Sequence, residues 1–228
     1  MTLLTFFFWL AVLLIEGRLV LAFLFTKQDK RLLLAALSLP IGSLINVLII
    51  FFCTVTTIPL SFLSLLICHT SVIGFLLLAR RLRKQSDFIS HEHSTHVHRK
   101  KISMPLRIVC IAIIVVATAF SFIHSVVLPT YQIDSLTNWT MRSKVSFYDN
   151  AIAFDTNESR GVAKPQYPIL FHSLQIIVNE GNLHWSDRSA NAILFLLTLS
   201  TFLALFVLLK HTKGTDLALL TVTLLLST

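Results

Sequence analysis

The chain is poor in charge. Only 13% of its 228 residues are Asp, Glu, Lys or Arg, against about 25% in soluble domains. With 55% hydrophobic residues and a mean hydropathy of +0.78, that shortage excludes an ordinary water-soluble domain. Cysteine is scarce as well: there are three, and no two form a C-x-x-C pair. Neither a zinc ribbon nor a disulfide framework is supported. Cys53, Cys68 and Cys110 all lie in apolar runs, where a thiol behaves as a small hydrophobe. The apolar runs do not alternate with period two, which argues against a transmembrane barrel. The first run lacks a basic start and a small-residue cleavage site, so it does not read as a secretory signal. No internal repeat or low-complexity linker is present.

Long apolar runs are what the sequence does have. They cover roughly 2–25, 32–54, 58–79, 104–128, 189–210 and 215 onward. A helix needs roughly 20 apolar residues to cross a hydrocarbon core. Lipid leaves backbone polar groups without partners, so such spans must be helices. The expected fold is all-α: a polytopic transmembrane helical bundle of about six spans. The last run stops at Thr228 without a flanking charge or turn, which reads as a chain cut inside a helix, the N-terminal part of something longer.

The net charge of +8 is not spread like a nucleic-acid-binding face. It sits in short links. "TKQDKR" carries Lys27, Lys30 and Arg31. The link after the third run carries Arg80, Arg81, Arg83, Lys84, Arg99, Lys100 and Lys101. "KHTKG" carries Lys210 and Lys213, whereas "TVTTIP" carries no charge. Short basic links stay in the cytoplasm. Six alternating helices put all three basic links on one side, and the N-terminus and residues 129–188 on the other.

That outer segment alone has globular composition. "LTNWTMRSKVSFY" predicts a short amphipathic helix along the membrane surface, with Trp139, Phe147 and Tyr148 at the headgroups. "FDTNESRGVAKPQYP" reads as loop. "ILFHSLQIIVNEG" predicts a second short helix with a glycine stop.

Each candidate residue has a plain reading beside its functional one. Asp134 can cap a helix, or serve as a base or a hard-metal ligand at the bilayer surface. Trp139, Arg142 and Lys144 suit an interfacial belt, or a site for a lipid phosphate. Lys164, Tyr167 and His172 flank a proline-fixed helix start, or face one cavity with Asp134. His91, His93, His96 and His98 in "HEHSTHVH" match no closed metal site and read chiefly as a solvated link. His69 and His124 are the histidines inside apolar runs, expected near helix ends. Glu16 and Arg18 lie in the first run but two residues apart, on different helix faces. A contact with a partner helix is the expected role there. "NWT" at 138 and "NES" at 157 fit the N-glycan acceptor pattern, which chance produces often.

The order of these features is a span, Asp134, "NWTMRSKVSFY", a polar loop, "QYPIL", a short helix, then "DRSANAILFLL" leading into the next span. It resembles the first outer loop of GT-C fold membrane glycosyltransferases. More narrowly, it is similar to bacterial relatives of the protein O-mannosyltransferase and aminoarabinose transferase superfamily. The matching residues are Asp134, Trp139, Lys144 and Tyr167-Pro168-Ile169-Leu170. Asp134 is followed by Ser135 where many relatives carry a second acid, and "QYPIL" lacks their first histidine.

The resemblance covers roughly 104–228. It divides the chain into a three-helix membrane segment, 1–103, and the start of a catalytic module, 104–228. It implies transfer of a sugar from a polyprenyl-phosphate-linked donor to an acceptor at the outer face of a bacterial inner membrane. Asp134 would be the base or hold a divalent metal. Arg142 or Lys144 would stabilise the leaving phosphate, and Tyr167 and His172 would shape the pocket. A flippase or transporter for lipid-linked sugars, and a non-catalytic membrane scaffold, are the rival readings.

Overall fold

The computed structural model describes residues 2–24, 31–82, 102–128, 140–153 and 169–226. They form helices joined by turns, with no strand among the described residues. The helices are α1 (Thr2–Leu24), α2 (Arg31–Val55), α3 (Phe62–Leu82), α4 (Met104–Phe122), α5 (Thr140–Asp149), α6 (Ile169–Ile177), α7 (Asp187–Thr212) and α8 (Thr215–Leu226). α4 continues as a π turn over Ile123–Val127. Five are long and apolar enough to span a bilayer: α1, α2, α3, α4 with its π turn, and α7. The chain is an integral membrane helical bundle. The sixth apolar run forms the 12-residue α8.

Local chemistry sets the helix ends. The third span starts at Phe62 rather than at the expected 58, because Thr57 takes a left-handed φ of 58° and Pro59 follows. Ser186 caps α7 by accepting from the Ser189 N–H at 3.3 Å. Asp187 in its first turn and Lys210 and His211 in its last complement the helix dipole. Gly181, at φ 95°, ends the turn after α6, where the sequence predicts a glycine stop.

α1 and α2 pack backbone to backbone. A Cβ on Gly17 would collide with the Ser38 carbonyl, and one on Gly42 with that of Leu13. Small residues allow such approach where lipid supplies no hydrophobic drive between helices. Pro40 interrupts α2 and has no N–H for the Ala36 carbonyl one turn back. Ser200 on α7 donates its hydroxyl to that carbonyl instead. One core joins Trp9 and Leu13 of α1, Ile50 of α2, Leu65 of α3, Leu174 and Ile177 of α6 and Ile193 of α7.

The spans alternate in direction. Leu60, in the α2–α3 link, donates its N–H to the Asn150 carbonyl after α5 at 2.6 Å. At the other end Asp216, which opens α8, accepts from the Ile102 N–H at 2.9 Å and pairs with Arg107 of α4 at 2.8 Å. Lys210 and Lys213, at the end of α7, lie toward this second end, beside the Arg107–Asp216 pair. The α5–α6 layer lies at the first.

Candidate functional site

α5 and α6 form a small helical layer at one end of the bundle. α5 has no glycine or proline and stops at Asn150, whose φ is 52°. It does not use Arg142 as a headgroup anchor, as an interfacial belt would. Arg142 is 2% exposed and turned into the protein. Its Nε donates to the Ala153 carbonyl at 2.9 Å. Ser146 joins the same clamp: its hydroxyl donates to the Arg142 carbonyl at 2.8 Å and accepts from the Ala153 N–H at 3.0 Å. Residues 150–153 are thereby held against α5. Burial pushes the Arg142 guanidinium below its ordinary value.

Ser143, next in sequence, ties α5 to α6. Its Oγ lies 2.9 Å from His172 Nδ1 and 2.5 Å from Gln175 Oε1. His172 and Gln175 are three residues apart, so they share one face of α6. A hydroxyl has one proton. With Ser143 donating to Gln175 Oε1, it accepts from His172 Nδ1–H, which places a ring proton on Nδ1. That direction is opposite to a base drawing a proton from a serine nucleophile. Ser143 and His172 are both fully buried. The trio therefore positions α5 on α6 rather than attacking a substrate. Lys144 lies about 200° round α5 from Arg142 and is half-buried.

The turn after α6 adds an acid. Trp9 Nε1 donates to the Glu180 carbonyl at 2.9 Å, and Asn179 bridges Gln175 to Ser186. The Glu180 side chain is 4% exposed, and its Oε1 has no hydrogen-bond partner. Burial pushes its carboxyl up to about 8. Burial thus favours its protonated form.

Inside the membrane, Glu16 of α1 and His69 of α3 meet at 2.8 Å. The Trp9–Phe62 ring pair stands above them, with centroids 5.5 Å apart. Both pairs are 53 positions apart in sequence, so α1 and α3 run parallel in constant register. Glu16 makes the partner-helix contact expected of it, whereas Arg18 is exposed. His69 is not near a helix end: it is fully buried in the third turn of α3.

Of the predicted site residues, Arg142 and Lys144 stand on α5 and His172 on α6; it is Ser143, between the two cations, that meets His172. Asp134, Trp139, Lys164 and Tyr167 lie outside the described residues, as do His91, His93, His96 and His98. Among the described residues no three His, Cys, Asp or Glu side chains group to hold a metal ion. Sequence reasoning missed Ser143, Gln175 and Glu180. Their only signal is helical spacing in "ILFHSLQIIVNEG" that aims His172 and Gln175 the same way.

No protein-family model, curated protein or solved structure matches the chain.

Proposed function

We propose that the chain belongs to a membrane glycosyltransferase of the GT-C type, which moves a sugar from a polyprenyl-phosphate-linked donor to an acceptor at the α5–α6 end of the bundle. The observation that carries this reading is the division of labour on α5. Arg142 is locked inward on Ala153, while Lys144 on another face stays partly open. One cation builds the layer and its near neighbour remains to meet an anion at the membrane surface.

In this reading the acceptor oxygen bonds to the anomeric carbon as the bond from that carbon to the phosphate oxygen breaks. The acceptor proton passes to Asp134, and polyprenyl phosphate leaves against Lys144, where a positioned cation counts most in a water-poor site. Arg142, Ser143 and His172 set the position of α5.

A transporter for lipid-linked sugars is the second reading. The fully buried Glu16–His69 pair favours it, since ionisable groups inside spans commonly mark transport pathways. One experiment separates the two. In proteoliposomes fed labelled polyprenyl-phosphate hexoses and pentoses, with a cell-envelope extract as the source of acceptor, the enzyme releases free polyprenyl phosphate. Asp134→Asn abolishes that release and keeps donor binding. If Asp134→Asn leaves handling of the lipid-linked sugar unchanged and no polyprenyl phosphate forms, the transporter reading replaces the enzymatic one.

A further inference from the structure

The three cysteines read from sequence as small hydrophobes. Two of them meet in space. Cys53 Sγ, near the end of α2, lies 3.9 Å from Cys68 Sγ on α3. We propose that Cys53 and Cys68 form a reversible dithiol–disulfide site that staples α3 to the rest of the bundle.

The geometry favours closure. A disulfide holds its sulfurs about 2.05 Å apart. Side-chain rotation must therefore bring these two roughly 1.9 Å closer. The α2–α3 link already holds the two helices as a hairpin. The backbone at Cys53 is fixed, because its carbonyl accepts from the Ile58 N–H at 2.8 Å and from the Thr56 hydroxyl at 3.4 Å. Movement is left to Cys68.

Access divides the chemical roles. Cys53 is fully buried and Cys68 half-buried. The Cys68 thiolate attacks the disulfide of an exchange partner, such as glutathione disulfide or a protein disulfide, and one partner thiol leaves. The Cys53 thiolate then displaces the second. The two cysteine protons end on the two partner thiols, and the partner disulfide is the species reduced. The site lies toward the end that bears the α2–α3 link. The charge pattern puts that end away from the cytoplasm, where disulfides persist.

The staple matters because α3 is thinly held. Leu65 and His69 are its only buried residues. Its inward contacts include the Phe62–Trp9 rings, the His69–Glu16 pair, the adjoining Cys68–Cys53 thiols and Leu65 with partly buried Leu66, Val72 and Ile73. A covalent bond beside His69 would add to the side-chain contacts and the short α2–α3 link that hold α3 in the reduced protein.

Thiol counting on the full chain in detergent tests this. The protein is treated with copper phenanthroline or glutathione disulfide, then denatured and labelled with a maleimide. Cys110, on α4 and buried, is the internal control. Oxidation should lower the labels from three to one, and dithiothreitol should restore three. Peptide mapping should show a 53–68 link. Cys53→Ser and Cys68→Ser should each keep two labels under oxidant. Three labels after oxidation, or a bond that uses Cys110 or joins two chains, overturns the proposal.

Discussion

Glu16 on α1 and His69 on α3 meet at 2.8 Å with neither side chain exposed. Each keeps one further buried polar atom, Glu16 Oε2 and His69 Nε2, without a hydrogen-bond partner. Such a pair is costly to build, and breaking it is costlier, because the survivor is left buried alone. His69→Ala should lower stability by about 3–5 kcal/mol. Glu16→Leu with His69→Leu should recover most of that loss. Thermal unfolding in one fixed detergent checks this. A double variant no more stable than His69→Ala would show that the uncompensated group is not the cause.

The glycine contact between α1 and α2 gives a contrast within one chain. Gly42→Ala drives a methyl into the Leu13 carbonyl, whereas a Cβ at Gly74 meets nothing within 4 Å. Gly42→Ala should cost about 1–3 kcal/mol. Gly74→Ala should be neutral or stabilising by up to about 1 kcal/mol. Unfolding midpoints that move alike for the two would contradict the packing.

Glu180 makes stability depend on pH. Its carboxyl is held up to about 8 when folded and returns to about 4.5 when unfolded. Between those values the native state binds the extra proton, so stability falls as pH rises. The fall should begin near pH 4.5, end near pH 8, and total at most about 5 kcal/mol. Glu180→Gln should flatten that slope while the rest of the profile stays. Melting curves from pH 5 to pH 9 measure it.

Arg142 and Lys144 should separate by readout. Arg142→Ala removes the clamp on Ala153 and should cost about 1.5–3 kcal/mol of stability. Lys144→Ala should leave the melting temperature within about 2 °C, since surface changes away from special features fall within about 0.5 kcal/mol. It should instead weaken binding of polyprenyl phosphate in nanodiscs roughly tenfold, the loss expected of one charge-assisted contact. Equal loss of stability in both would assign Lys144 to the frame.

The spans are legible in the sequence because lipid demands long apolar runs, and α1, α2 and α7 fall within a few residues of theirs. Residues 169–181 are legible too, as a helix and its glycine stop. The inward turn of Arg142 is not. α5 carries polar residues all round, with Ser143 and Ser146 buried beside Arg142, so periodicity cannot say which face is inside. Nor does any local pattern pair Glu16 with His69, because the parallel packing of α1 and α3 brings them together. Asp134, Trp139, Lys164 and Tyr167 lie outside the described residues.

The bond from Ser200 to Ala36 spans 164 positions. A ribosome adds roughly 5–20 residues each second. The Ala36 carbonyl thus leaves the ribosome on the order of 8–33 s before the hydroxyl that will satisfy it. For that interval the Ala36 carbonyl, which Pro40 has no N–H to serve, lacks the partner that Ser200 later supplies. This tie between α2 and α7 beside Pro40 can close only after α7 is made, so one contact of an N-terminal span is completed by a segment translated near the other end.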